Sequence, residues 1–157
     1  MQLSVRQNHP FRNRGFTLTE VLLALAILAI LGSIALPMYQ NYRERMQVGQ
    51  AKTDIQKISA VIQAYFLKHS AYPENLGEVH MGHMKDPWGN AYAYLNIETA
   101  DTTSPRQDRS LKPINSDYDL YSVGKDGATR KNIGASVSRD DVIRANNGGY
   151  VGLAEEY

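Results

Sequence analysis

The sequence predicts an α+β fold in which one long N-terminal helix, transmembrane in its first half and amphipathic in its second, packs on a small antiparallel C-terminal sheet with a long loop. Three observations lead there. Residues Phe16 to Leu36 are nearly all apolar and carry a single acid, Glu20. Val48, Ala51, Ile55, Ile58, Ile62 and Tyr65 then recur at spacings of three and four, which draws one stripe on a helix. Beyond them, Ala91 to Ile97 and Tyr118 to Val123 are rich in strand formers and are separated by a polar, proline-containing stretch.

The first helix is long enough to cross a bilayer. At roughly 1.5 Å per residue, about twenty apolar residues span the ~30 Å hydrocarbon core. Glu20 is the anomaly, because a carboxylate in lipid costs on the order of 2.5 to 3.5 kcal/mol. The apolar run offers only Thr17, Thr19 and Ser33 as polar side chains and so reads as supplying no partner. If the chain were cut between Gly15 and Phe16, the new α-amino group would lie close to Glu20 in depth. Within one helix, or between staggered helices of neighbouring copies, that cation would offset the buried charge.

Residues 1 to 15 are polar and basic, with Arg6, Arg12, Arg14 and no acid, and they read as a leader excluded from the fold. The candidate cut precedes the apolar region, so the membrane segment survives processing. The basic leader places the N-terminus in the cytoplasm and residues 38 to 157 outside the membrane.

At Gly15-Phe16-Thr17-Leu18-Thr19-Glu20, followed by the apolar run and Pro37, the chain resembles the class III signal peptides of the type IV pilin superfamily. The resemblance implies that a prepilin peptidase cuts after Gly15 and methylates Phe16. It also implies that Glu20 guides each subunit into a helical filament. Thr19 is a mild departure, since leucine-like residues are common there.

Composition narrows the remaining choices. The 157-residue chain carries a formal charge of +1, and losing the three leader arginines leaves 14 basic against 16 acidic side chains, which argues against nucleic acid. There is no cysteine, although an extracytoplasmic compartment would permit disulfides. By resemblance, that absence leans toward the pseudopilins of type II secretion. Nor is there a catalytic set: no glycine-framed serine, phosphate loop or zinc-protease helix, so the protein is not expected to be an enzyme.

Along the chain, Pro37 lacks an amide and crowds the carbonyl of Ser33, so a kink or local loss of helix is expected. The second half of the helix runs to about Phe66 and stops at His69-Ser70-Ala71-Tyr72-Pro73. A connection from Glu74 to Lys85 follows. Within it His80 and His83 are a weak metal pattern and read as a solvated loop. Asp86-Pro87-Trp88-Gly89-Asn90 makes a turn and offers the only tryptophan to the core. This run, and Tyr118-Asp119-Leu120-Tyr121-Ser122-Val123-Gly124-Lys125-Asp126-Gly127, resemble the signatures of the major pseudopilin of type II secretion. Residues 98 to 116 read as a surface loop, and Asn146-Asn147-Gly148-Gly149 as a turn before a solvated acidic tail, Glu155-Glu156. Tyrosines 92, 94, 118 and 121 read as packing residues.

One constellation has the character of a site. Oxygen donors between Leu120 and Asp141 suit a hard cation such as calcium, which takes six to eight oxygens. By resemblance, Asp126 and Asp141 are the first candidate ligands, followed by Asp140, Ser122 and the carbonyl of Leu120. The stretch from Ala128 to Arg139 is longer than usual in that family and brings Arg130, Lys131 and Arg139. Those cations would satisfy the same carboxylates without metal, and both readings stand.

Taken together, the resemblance implies a single-pass inner-membrane protein with a periplasmic domain. It would assemble as a homo-oligomeric filament with minor pseudopilins and an inner-membrane platform in type II secretion. A type IV or minor pilin for adhesion, motility or DNA uptake is the alternative within the superfamily. A monomeric membrane-anchored periplasmic binding domain is the alternative outside it.

Overall fold

The computed structural model describes residues 15–101 and 104–157. The leader arginines lie outside that range. The chain divides into two units, Met1–Asn41 and Tyr42–Tyr157.

A single helix, α1, spans Leu18–His69. It begins with a capping box: the Thr17 hydroxyl accepts the Glu20 amide at 3.3 Å, and the Glu20 carboxylate accepts the Thr17 amide at 2.8 Å. The helix is continuous through Pro37, so the expected loss of helix there does not occur. Proline deprives one carbonyl, that of Ser33, of its donor, and regular turns on either side carry the helix across. At the other end α1 runs three residues past Phe66. Ser70, at φ 56°, donates its amide to the Phe66 carbonyl and closes the last turn in a left-handed cap.

In the second unit four strands, β1 (Ala93–Asn96), β2 (Tyr118–Ser122), β3 (Val142–Ala145) and β4 (Tyr150–Leu153), form one antiparallel sheet in sequence order. Tyr94 faces Leu120, Tyr121 faces Ile143, and Ile143 faces Gly152. The 146–149 turn joins β3 to β4, with Asn146 and Asn147 both at φ 52°. Asparagine tolerates that left-handed conformation better than most residues.

Alternation along the strands sorts the core into two clusters. Ala51, Ile55, Ile58 and Ile62 of α1 are fully buried against Tyr92, Tyr118, Leu120 and Val142. The other parity packs elsewhere: Ile143 and Ala145 join Ile114, Ile133 and Ala154, with Tyr121 alongside. Loop residues therefore cover a face that α1 does not. This corrects the surface-loop expectation for residues 98 to 116, because Arg106, Ile114 and Asn115 are buried. A sheet with two apolar faces needs a second cover, and this loop provides part of it.

Candidate functional site

In the N-terminal unit the candidate residues are arranged by the helix start. Phe16 is 87% exposed, and the large apolar side chains from Leu18 through Met38 all face outward. Within this unit α1 is long and apolar enough to cross a membrane. An exposed apolar surface of that extent is the kind that lipid or other apolar helices cover. Glu20 does have a partner within the chain, contrary to the sequence expectation. Its Oε2 accepts both the amide and the hydroxyl of Thr17, each at 2.8 Å. The carboxylate is thereby held at the helix N-terminus against Thr17, the residue after Phe16, where positive charge from the helix dipole also favours it.

The carboxylate loop follows β2. Gly124 opens it at φ 69°, and a Cβ there would come within 2.5 Å of the Asp140 carbonyl oxygen, so only glycine permits the approach. Asp140 then reaches across, its Oδ2 accepting the amides of Lys125 at 2.8 Å and Asp126 at 3.1 Å. Asp126 turns back to accept the Ala128 amide at 2.8 Å. Ser122 donates to Asp86 Oδ2 at 2.5 Å and accepts the Gly124 amide.

Asp141 sits apart from these, fully buried. Its Oδ2 accepts from the Arg106 guanidinium at 2.5 Å and from the Thr129 hydroxyl at 2.6 Å. Burial pushes its carboxyl above the usual range, and the bonds from Thr129 and Arg106 pull it partly back. The cation on Asp141 is the buried Arg106 of the 98–116 loop, while Arg130, Lys131 and Arg139 are exposed.

Calcium would make a demand on this arrangement. The ion needs six or more converging oxygens. Asp141, Asp140 and Asp126 each direct an oxygen to a different protein donor, and Ser122 is tied to Asp86. Among the described residues no three acidic or histidine side chains converge as a cation site. A guanidinium and a hydroxyl already occupy Oδ2 of Asp141. These residues do not fit calcium.

Sequence reading missed Arg106, Thr129 and Asp86. Arg106 lies 35 residues from Asp141, and nothing local marks it. Asp86 carried a signal in its turn motif. Its Oδ1 accepts the amides of Trp88 and Asn90, at 3.1 and 2.8 Å, while Oδ2 binds Ser122, so the 86–90 turn is pinned to the end of β2. His80 and His83 are exposed, in keeping with a solvated loop.

An outward apolar helix start carrying one capped acid, followed by a small helix-on-sheet domain, is an α+β arrangement of pilin type. Comparison with known proteins agrees. The prokaryotic N-terminal methylation motif matches residues 10–36. The type II secretion system core protein G of Pseudomonas aeruginosa is 31% identical over 134 residues, covering 72% of this chain and 84% of the relative. A fimbrial protein of Neisseria meningitidis is 28% identical over 138 residues, covering 85% of this chain and 80% of the relative. The type IV major pilin protein PilE1 of Neisseria gonorrhoeae is 40% identical over 62 residues, covering 40% of this chain and 38% of the relative. The chain belongs to the type IV pilin superfamily, among whose members are both secretion and fimbrial subunits.

Proposed function

We propose that the protein is a structural subunit of a type II secretion pseudopilus, assembling through its N-terminal helix to help move folded proteins across the outer membrane. One observation carries the assembly part of this reading: the apolar side chains of the first unit face outward, with a single acid held at the helix start. Before assembly the inner membrane covers that surface; in a filament, the same surface on other copies does. Prepilin peptidase would cut between Gly15 and Phe16 and methylate Phe16. The new amine would then meet Glu20 of a neighbouring copy and set the register. The mechanism is polymerisation, with lateral helix packing supplying cohesion and the C-terminal domain facing the periplasm. An inner-membrane platform and minor pseudopilins would complete the machine.

The choice of a secretion filament rests on the relative named protein G and on the two motif runs at 86–90 and 118–127. The matches to fimbrial and type IV major pilin proteins favour a second reading, a type IV or minor pilin for adhesion, motility or DNA uptake. A deletion strain separates the two. Loss of secreted enzymes with motility intact supports the secretion filament; loss of twitching with secretion intact supports the pilus. Cross-linking in native membranes addresses the monomeric binding domain. A ladder of homo-oligomers that shrinks in Glu20→Ala supports assembly, whereas no ladder, or one indifferent to Glu20, supports a monomer.

A further inference from the structure

We infer that the C-terminal loops of this chain are locked by the Arg106 guanidinium in the role a bound cation would otherwise fill, so that the fold is indifferent to calcium. Arg106 is only 4% exposed and joins three separate segments. Its amide donates to Asp119 of β2 at 2.6 Å, one terminal nitrogen donates to Thr129 at 3.0 Å, and the other to Asp141 at 2.5 Å. The guanidinium lies 4.0 Å over the Tyr121 ring, which adds a cation–π contact on an otherwise apolar side. Thr129 relays the connection by donating to the same Asp141 oxygen that Arg106 binds. From Asp141 the tie passes to the end of the chain, since the Asp141 carbonyl accepts the Ala154 amide at 2.9 Å.

Two details distinguish a built lock from a chance pair. Arg106 Nε and Asp141 Oδ1 are each buried without a partner, and they are the two atoms that a side-on fork between these groups brings together beside the bond already made. Brought together, they satisfy each other without any added ligand. Charge decides the rest. The guanidinium already supplies a buried positive charge on the Asp141 oxygen it binds, and a calcium ion taking that oxygen would have to expel it from its place over Tyr121. Planar, five-donor arginine suits the task because it reaches Thr129 and Asp141 at once; lysine would supply a point charge.

The test uses the full-length chain in detergent, melted by circular dichroism in millimolar calcium and again in chelator. The expected result is one Tm in both conditions for the native sequence, with Arg106→Gln melting on the order of 10 °C lower. Arg106→Lys, which keeps the charge and loses the fork, should fall between the two. A native Tm that rises with calcium overturns the inference, as does an Arg106→Gln protein that melts with the native one. Should Arg106→Gln fail to fold, the native comparison and Arg106→Lys still decide.

Discussion

Replacing Asp86 should loosen the 86–90 turn from β2 by an amount the hydrogen bonds allow to be worked out. The residue is 4% exposed and accepts three bonds, two from the amides of Trp88 and Asn90 and one from the Ser122 hydroxyl. A stranded buried donor costs about 1 to 3 kcal/mol. Trp88 and Asn90 are half-buried, so their amides recover part of that from water, while Ser122 is fully buried and recovers little. Asp86→Ala should therefore cost about 3 kcal/mol in all. Asp86→Asn keeps one acceptor oxygen for the two amides and turns its NH2 toward Ser122, whose hydroxyl rotates to accept it, so the cost should be about 1 kcal/mol. In a domain of this size these become Tm losses of roughly 10 and 3 °C. Trp88 is the only tryptophan and sits in the turn, so its fluorescence during denaturation reports this contact directly. An alanine variant within 1 kcal/mol of the native protein, or an asparagine variant as damaged as the alanine one, would refute the assignment of Asp86 as the staple.

The other expectations concern the core and the loop. Ile58→Ala removes a fully buried side chain between α1 and the sheet and should cost about 2 to 5 kcal/mol by urea denaturation, most of it retained because a helix packed on a sheet cannot collapse into the cavity. Gly124→Ala should destabilise the 124–127 turn both by strain at φ 69° and by collision with Asp140, seen as faster proteolysis of that loop. Tyr92 and Tyr94 have phenol pKa values raised, chiefly by burial and then by Asp54 for Tyr92 and by Tyr118 for Tyr94. A raised folded-state pKa means the unfolded chain loses its proton first. Stability from these groups is full below about pH 10 and is lost as pH rises beyond it. Tyrosinate absorbance from this pair should consequently appear together with unfolding in an alkaline titration, not before it.

The long helix was legible because its two halves announce themselves by different means, one by unbroken apolar length and the other by the period that buries Ala51, Ile55, Ile58 and Ile62. The motif turns were legible for the same reason that they matter: Asp86, Gly89 and Gly124 each meet a local backbone demand. What the sequence concealed is long-range or short. β3 and β4 are four residues each and include Arg144 and Gly152, which breaks any alternation of apolar and polar residues. Arg144 is buried by its paired bonds to Asp117 and by lying 3.9 Å over Tyr118, a role no spacing rule foretells. The 98–116 loop looked solvated because it is polar. Its few inward residues, Arg106, Ile114 and Asn115, are inward only once the sheet has a second face to cover. The Arg106 to Asp141 pair belongs to the same class of fact, visible only when separate loops are brought together.

The proposed assembly begins at a chain end that does not exist until Gly15 and Phe16 are parted, so the most direct measurement is N-terminal mass spectrometry of the protein taken from its native membrane. A chain beginning at an N-methylated Phe16 is the predicted result. Protein that still carries residues 1 to 15 in its membrane-resident form would contradict the proposal that an exposed amine and Glu20 bring these helices together.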